Sequence, residues 1–273
     1  MNTTIAFIGG GNMARSLIGG LIASGISASH ITVAEPDAAR RDELAAQFGV
    51  RVGADNSQVA STAQALVLAV KPQQMQAVCA EIAPTVQASK PLIISIAAGL
   101  RLDALEGWLG EGLALVRCMP NTPALVQAGA TALFANAHAS PAQKELAEKT
   151  LRTAGIALWL EDEAQMDAVT ALSGSGPAYF FLVMEAMQRA GEELGLNTET
   201  ARQLTLQTAL GAAKMALQSS DEPAALRRQV TSPGGTTERA LQTLEAGGIR
   251  DLIGRALEAA RDRSRELADE LGG

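Results

Sequence analysis

Short apolar runs alternate with helical patterns through the first 160 residues of the chain. These runs have the length of strands and carry few polar residues, which is typical of parallel strands buried on both faces. They predict strands at residues 5–8, 31–34, 65–70, 92–96, 113–118, 130–134 and 156–160. Between the first two runs, apolar residues recur at helical spacing from Met13 to Ile22. The alternation predicts an α/β domain of the doubly wound, Rossmann-like kind.

After residue 161 the strand-like runs stop and long helical patterns replace them. They predict helices at residues 177–194, 198–218, 223–230, 237–245 and 249–267. We therefore expect a dinucleotide-binding domain over residues 1–160 and an all-helical domain over residues 161–273. The segment 179–187 is apolar on several faces and needs cover on all sides, either from neighbouring helices or from a second copy of the chain.

Composition narrows the class of protein. The chain has 273 residues, of which 47% are hydrophobic and 19% charged, with a formal net charge of -7. That charge argues against nucleic acid and anionic membranes as partners. Cys79 and Cys118 are too far apart for a CxxC motif, so neither a disulfide framework nor a metal site is expected. With no export signal and no spanning segment in the pattern, we expect a soluble cytoplasmic protein without metal.

A glycine-rich motif follows the first predicted strand. The segment Gly9-Gly10-Gly11-Asn12-Met13-Ala14 fits G-x-G-x-x-G/A and opens a predicted helix, which is the context that the motif requires. The first glycine permits a tight turn, and the second lets the backbone approach a pyrophosphate. The third position keeps the helix close to the strand. The motif predicts a nicotinamide-dinucleotide site, and a glycine-rich turn without ligand is the alternative.

The end of the second predicted strand bears on cofactor choice. Glu35 stands 21 positions after Ala14, where an acidic residue accepts hydrogen bonds from the adenosine ribose and favours NAD. Arg40 and Arg41 follow, and they either meet a 2′-phosphate or form a solvated helix face. The residues therefore leave the choice between NADH and NADPH open.

Later strand ends supply further candidates. The segments AVKP at 69–72 and SIAAG at 95–99 are small enough to line a bound dinucleotide at the carboxyl edge of the sheet. Lys71 is either a catalytic cation or an ordinary solvated lysine. Asn121 lies between Pro120 and Pro123, so its amide is placed either to meet the cofactor or the reacting group, or to form a plain turn.

Two segments of small and hydroxyl residues lie in the helical half. SGSGP at 173–177 introduces the apolar helix, and close packing is its simpler interpretation. TSPGGTT at 231–237 places glycines and hydroxyls at a helix start, where backbone N–H groups can hold a carboxylate. An ordinary turn between two helices is the alternative.

Taken together, these segments resemble the pyrroline-5-carboxylate reductase family nearly from end to end. The resemblance rests on FIGGGNMA at 7–14, AVKP at 69–72, SIAAG at 95–99, RCMPNTPA at 117–124, SGSGPAY at 173–179 and TSPGGTT at 231–237. It implies reduction of L-1-pyrroline-5-carboxylate to L-proline by NADPH or NADH, the last step of proline biosynthesis. It also implies a homodimer with interlocked C-terminal helices, assembled further into a decamer.

The resemblance also implies the site residues. For the cofactor it implies Gly9, Gly10, Gly11, Asn12, Met13, Ala14, Asn56, Val70, Lys71, Pro72 and Ala97, and the strand-end and loop arguments above add Glu35, Ala69 and Asn121. For the substrate it implies Ser232, Gly234, Gly235, Thr236 and Thr237, and the small-residue segment before the apolar helix adds Ser175. The Thr237 hydroxyl is implied to bind the ring nitrogen and is the one catalytic group in the prediction. Glu35 departs from the small or hydroxyl residue of many members, which weakens the expectation of strict NADPH preference.

Two rival functions differ in their chemistry. A protonated imine is already electrophilic, so its reduction needs little beyond proximity, and neither His30 nor His138 lies in a motif. A β-hydroxyacid dehydrogenase needs a lysine on the first long helix of its second domain, and residues 177–194 contain none. A dinucleotide-binding redox sensor or scaffold without turnover is the rival outside enzymes, and a turnover assay separates it.

Overall fold

The computed structural model describes residues 3–272 and divides the chain into two compact units. The first unit runs to Ser175 and also includes the segment from Ala260 onwards, and the second unit is Gly176–Ala259. The division therefore falls after Ser175, whereas the sequence predicts a domain boundary at residue 160. The C-terminal segment belongs to the first unit and not to the helical one. The short helices that follow the sheet, up to Ser175, belong to the first unit.

The first unit contains one eight-stranded sheet. Its strands in chain order are β1 (Ile5–Ile8), β2 (Ile31–Ala34), β3 (Arg51–Gly53), β4 (Ala65–Leu68), β5 (Leu92–Ser95), β6 (Leu115–Met119), β7 (Gly129–Ala135) and β8 (Gly155–Trp159). The spatial order is β3-β2-β1-β4-β5-β6-β7-β8. The strands β1 to β6 are parallel, β7 is antiparallel to β6, and β8 is parallel to β7. The predicted doubly wound α/β class is confirmed.

Each of the seven predicted runs corresponds to an observed strand, with limits shifted by at most two residues. The additional strand, β3, has three residues and lies at the edge of the sheet beside β2. Its sequence begins with the exposed Arg51 and ends with Gly53, so it carries no apolar run that a pattern search could detect.

Helices cover both faces of the sheet. The first unit contains α1 (Asn12–Ala23), α2 (Ala38–Phe48), α3 (Asn56–Ser61), α4 (Pro72–Ser89), α5 (Leu102–Leu109), α6 (Pro141–Arg152) and α7 (Gln165–Val169). Apolar residues of α1, α2 and α6 form the core on one face, and those of α3, α4 and α5 form the core on the other. A short π-helix, Thr170–Gly174, continues α7.

The C-terminal helix α12 (Ile249–Gly272) returns its last turns to the first unit. Ser264 donates a buried hydrogen bond to the Asp167 carboxylate of α7 at 2.8 Å. Leu267 and Leu271 lie beside Gly99, directly after β5. These turns therefore pack on the loop that ends one of the central strands.

The second unit is all helical, as the pattern predicts. It contains α8 (Gly176–Glu193), α9 (Thr198–Gln218), α10 (Pro223–Gln229), α11 (Thr236–Ala246) and the first part of α12. Helices α8 and α9 pack on each other. Large apolar side chains on both helices are nevertheless exposed, including Phe180, Phe181 and Leu210. Among residues 3–272, no helix combines the length and the apolar character that a membrane crossing needs.

We predict that Gly155→Ala destabilises the first unit. Gly155 begins β8 with φ +145°, and an added Cβ would overlap the backbone of Gly129 on β7. Overpacking of this kind costs about 1–3 kcal/mol, and the strained φ adds to it. The measurement is the midpoint of urea unfolding, followed by circular dichroism.

Gly107→Ala is the matched control. Gly107 lies inside α5, and an added Cβ would meet nothing within 4 Å. Alanine is a better helix former than glycine by roughly 0.5–1 kcal/mol, so this variant should unfold at the same or a higher urea concentration. Equal midpoints for Gly155→Ala and wild type would contradict the close approach of β7 and β8.

Candidate functional site

The loop after β1 leaves space at a helix N-terminus. Gly9 adopts φ +97°, and a Cβ there would lie 2.8 Å from the carbonyl oxygen of Ala69, so glycine is required. Gly11 is the N-cap of α1 and provides no side-chain cap, while a Cβ there would meet nothing within 4 Å. The first N–H groups of α1 thus face open space that can hold a phosphate.

Glu35 joins this loop to the loop after β2. Its side chain is buried, and its Oε2 accepts a hydrogen bond from the Gly10 N–H at 3.0 Å. Its Oε1 accepts from the Asp37 N–H at 3.1 Å. The carboxylate that the sequence predicts as a ribose ligand therefore also fixes the glycine-rich loop.

Arg41 follows Glu35 and binds backbone rather than a carboxylate. Its guanidinium donates to the carbonyl oxygens of Glu35 and Pro36 at 2.7 and 2.8 Å. The positive charge is thereby held next to the end of β2. Of the two interpretations of Arg41, a freely solvated helix face does not describe it.

Gly10 and Arg15 also have structural partners that the motif does not indicate. A Cβ on Gly10 would lie 2.5 Å from Leu44 of α2, so the middle glycine lets α2 pack against the loop. Arg15 donates to the Gly10 carbonyl oxygen at 3.3 Å and forms an ion pair with Glu43 at 2.7 Å. The motif gives only the spacing of the glycines, whereas Glu43 and Leu44 belong to α2, which lies outside the motif.

The loops after β4 and β5 lie at the same edge of the sheet, because β1, β4 and β5 are parallel neighbours. Ala69 and Val70 are half-buried, and Lys71 is exposed at the N-cap of α4, with Pro72 as its first residue. Ala97 is buried after β5. From β1 the chain adds β2 and β3 on one side of the sheet and then β4, β5 and β6 on the other, so the strand order reverses between β1 and β4. Open α/β sheets bind ligands at such a point.

Asn56 begins α3 after the edge strand β3. Its side-chain amide donates to the Glu81 carboxylate of α4 at 2.9 Å, and the side chain is half-buried. The predicted cofactor residue is thus held by a charged partner 25 positions away, which the sequence pattern does not indicate.

Asn121 has its whole side-chain amide engaged within the first unit. Its Oδ1 accepts from the Ala130 N–H at 2.9 Å, and its Nδ2 donates to the carbonyl oxygen and the hydroxyl of Ser173, each at 3.2 Å. This one side chain ties the turn after β6 to β7 and to the π-helix. Next to it, a Cβ on Gly174 would meet the terminal methyl of Met119, so the Met119 side chain would have to move to admit a larger residue. The half-buried Ser175 ends this segment.

The residues predicted to hold substrate, other than Ser175, lie in the second unit. Residues 231–235 connect α10 to α11, and Gly234 adopts φ +72°. Gly235 is the N-cap of α11 without a side-chain cap, and Thr237 lies half-buried in the first turn. The Gly234 N–H donates to the Glu238 carboxylate at 2.8 Å. A helix start that already binds one carboxylate can bind another in its place.

Both histidines lie away from the glycine-rich loop. His30 precedes β2 at the amino edge of the sheet, the opposite end of that strand from Glu35, and its Nδ1 is buried without a hydrogen-bond partner. His138 is exposed and lies 3.8 Å from Glu106. Imidazole is therefore not placed beside the candidate cofactor loops.

Two protein-family models match the chain. Residues 4–99 match NADP oxidoreductase coenzyme F420-dependent, and residues 163–267 match pyrroline-5-carboxylate reductase dimerisation. The first match covers the glycine-rich loop, and the second covers the loop at the start of α11.

Named relatives extend the similarity over nearly the whole chain. A pyrroline-5-carboxylate reductase of Pseudomonas aeruginosa is 57% identical over 268 residues, which is 98% of each chain. A solved structure of a pyrroline-5-carboxylate reductase from Coxiella burnetii has a TM-score of 0.95 and 48% identity, covering 98% of this chain and 99% of its own. The Plasmodium falciparum pyrroline carboxylate reductase, solved with NADP bound, has a TM-score of 0.86 and 30% identity, covering 98% of both chains. This chain belongs to the pyrroline-5-carboxylate reductase family.

Proposed function

We propose that this chain reduces L-1-pyrroline-5-carboxylate to L-proline, as the last step of proline biosynthesis, with hydride from NADPH or NADH. The observation that carries the proposal is the 57% identity to a reductase of that name over 98% of both chains. The open N-terminus of α1 at the carboxyl edge of the sheet is consistent with it, because a dinucleotide needs such a place for its pyrophosphate.

The cofactor would be held by three parts of the first unit. The backbone of Gly9, Gly10, Gly11, Asn12, Met13 and Ala14 would receive the pyrophosphate, and Glu35 the adenosine ribose. The loops containing Asn56, Ala69, Val70, Lys71, Pro72, Ala97 and Asn121 would line the rest. The geometry of Gly9 and Gly11 fits this role, since any side chain at either position would fill the turn or the open space. When bound, the nicotinamide supplies the hydride.

The substrate would be held by Ser175, Ser232, Gly234, Gly235, Thr236 and Thr237. Backbone N–H groups at the start of α11 are suited to the substrate carboxylate, and Glu238 would have to release the Gly234 N–H. We assign the Thr237 hydroxyl to the ring nitrogen, which it would orient by a hydrogen bond. A hydride added to the carbon of the protonated C=N bond leaves the proton on nitrogen, so the chain itself need not supply a general acid.

The same proposal includes the oligomeric state of the protein and its location in the cell. Residues 161–273 would act as the substrate-binding and dimerisation domain, in agreement with the family match over 163–267. The exposed apolar side chains of α8 and α9 support a homodimer, since surfaces of this kind mark interaction sites. Further assembly into a decamer and a cytoplasmic location also belong to this proposal.

The first experiment is turnover. Purified protein should oxidise NADPH or NADH, measured by loss of absorbance at the reduced-nicotinamide band, only after pyrroline-5-carboxylate is added. A simple 2-hydroxy or 3-hydroxy acid with the oxidised cofactor is the control for the dehydrogenase rival. Folded, oligomeric protein that turns over neither cofactor would overturn the assignment.

Glu35→Gln should raise the preference for NADPH over NADH. Glutamine retains one acceptor oxygen for the Gly10 N–H, loses the acceptor for the Asp37 N–H, and removes the negative charge that a 2′-phosphate would meet. We expect the ratio of kcat/KM for NADPH to that for NADH to rise roughly tenfold, equivalent to about 1.4 kcal/mol.

Asp42→Asn is the control for charge alone, because Asp42 is exposed on α2 and the substitution removes one negative charge near the same loop. It should leave the cofactor ratio near the wild-type value. An unchanged ratio in Glu35→Gln would show that Glu35 acts only on the loop and does not select the cofactor.

Thr237→Ala should impair handling of the substrate and spare the cofactor. Loss of a hydrogen bond to a charged group costs about 1.5–3 kcal/mol, so kcat/KM for pyrroline-5-carboxylate should fall by roughly 10- to 150-fold. The Kd for NADPH, measured by fluorescence titration, should not change.

Thr243→Ala on the same helix is the matched control, since the Thr243 hydroxyl is exposed and donates to the Arg239 carbonyl oxygen. Its kinetics should remain those of the wild type. Wild-type kinetics in Thr237→Ala would remove the proposed role of that hydroxyl.

A further inference from the structure

Both polar backbone groups of Gly10, in the middle of the glycine-rich loop, are bound by charged side chains. The Gly10 N–H donates to the buried Glu35 carboxylate at 3.0 Å. The Gly10 carbonyl oxygen accepts from the Nε of Arg15 at 3.3 Å. Leu44 of α2 packs against the same residue, where it leaves no room for a Cβ. Gly10 is therefore held by three side chains from outside the loop itself.

Arg15 binds two successive carbonyl oxygens of the loop. Its Nε donates to the Gly10 carbonyl oxygen, and its backbone N–H donates to that of Gly11 at 2.9 Å. In a trans peptide the carbonyl group and the N–H that follows it point in opposite directions. The N–H groups of Gly11 and Asn12 are therefore directed away from the groups of Arg15 that bind these oxygens. A Cβ on Gly11 would meet nothing within 4 Å, so there is open space beside this part of the loop.

Helix α2 fixes the guanidinium of Arg15 in turn. Its Nη2 forms an ion pair with the Glu43 carboxylate at 2.7 Å, and its Nη1 donates to the side-chain oxygen of Gln47 at 3.1 Å. The Arg15 side chain is only 22% exposed. A guanidinium donates through a rigid, planar set of N–H groups, so binding both terminal nitrogens also sets the direction of Nε. The contact with Gly10 is thus built from α2 and does not depend on a bound ligand.

We propose that Arg15 is a positioning residue for the dinucleotide: it holds the Gly10 carbonyl oxygen away from the pyrophosphate and so directs the Gly11 and Asn12 N–H groups towards it. The inference rests on the cofactor site of the proposed function. A glycine-rich loop has the conformational freedom to turn a peptide over, and the reversed peptide would present a carbonyl oxygen to the negatively charged phosphates. Arg15 disfavours that alternative before the cofactor arrives, and preorganisation of this kind increases affinity.

Cofactor binding to full-length variants tests the proposal without relying on turnover. Arg15→Met keeps most of the length of the side chain and removes its donors. We expect its Kd for NADPH, from fluorescence titration, and for ADP-ribose, from calorimetry, to rise about fivefold or more. Arg15→Lys keeps the charge and one donor group but loses the planar set, so its Kd values should lie between those of wild type and Arg15→Met.

Arg152→Met is the matched control. Arg152 of α6 forms an ion pair with Glu148 at 3.1 Å, as Arg15 does with Glu43. It lines a cavity together with Ser24, which lies at the other end of α1 from the glycine-rich loop. This variant should keep the wild-type Kd values. Glu43→Gln loosens Arg15 without removing it, so its Kd values should rise, but less than those of Arg15→Met.

Salt separates positioning from simple attraction between charges. The ratio of the Kd of Arg15→Met to that of wild type should persist at about 0.5 M NaCl, where the Debye length is well below the roughly 10 Å of 0.1 M salt. The direction of a peptide group is not screened in this way. A ratio that falls to one at high salt would overturn the proposal, because Arg15 would then act only through its charge.

The remaining outcomes are equally decisive. Wild-type Kd values in folded Arg15→Met would overturn the proposal, and a lower urea midpoint with unchanged Kd would assign Arg15 to stability alone. If Arg15→Met does not fold, Arg15→Lys and Glu43→Gln provide the same comparison, and wild-type Kd values in both would overturn it. Wild-type protein that binds neither NADPH nor ADP-ribose would overturn the cofactor site together with this inference. The Kd values decide the role of Arg15 whether or not the protein reduces pyrroline-5-carboxylate, so failure of the proposed reaction is a separate result.

Discussion

Parallel pairing of short, fully buried strands is the constraint on which the site depends. The strands β1, β2, β4 and β5 are four residues each and run in the same direction, so their carboxyl ends meet at one edge. Each apolar residue of these strands is buried in the hydrophobic core on one face of the sheet or the other. Polar and glycine-rich residues follow each of these strands. The pairing of the strands therefore brings these residues to the same edge, and no direct contact among them is needed.

At this edge the buried carboxylate of Glu35 joins two loops. It accepts hydrogen bonds from the Gly10 N–H of the glycine-rich loop and from the Asp37 N–H after β2. Arg41, held on the Glu35 and Pro36 carbonyl oxygens, brings a positive charge to the same strand end. Two opposite charges, those of Glu35 and Arg41, are thus held at the end of β2 by hydrogen bonds to backbone groups.

The helical unit differs from the sheet unit in how its apolar residues are used. In the sheet unit apolar side chains are mostly buried, whereas Phe180, Phe181 and Leu210 of the helical unit are exposed in the single chain. Membership of a family with a dimerisation region gives this exposure a physical reason, since association buries apolar surface.

The sequence by itself determined seven of the eight strands, the long C-terminal helices and the family, because strand and helix periods and the glycine spacing are local properties. The pattern predicted β1, β2 and α9 with their observed bounds. Tertiary structure alone decided the partners: Ser173 for Asn121, Glu81 for Asn56, and Asp167 for Ser264, which returns α12 to the first unit. These partners lie 25 to 97 positions apart. Such pairs depend on which strands and helices become neighbours, and no local pattern encodes that.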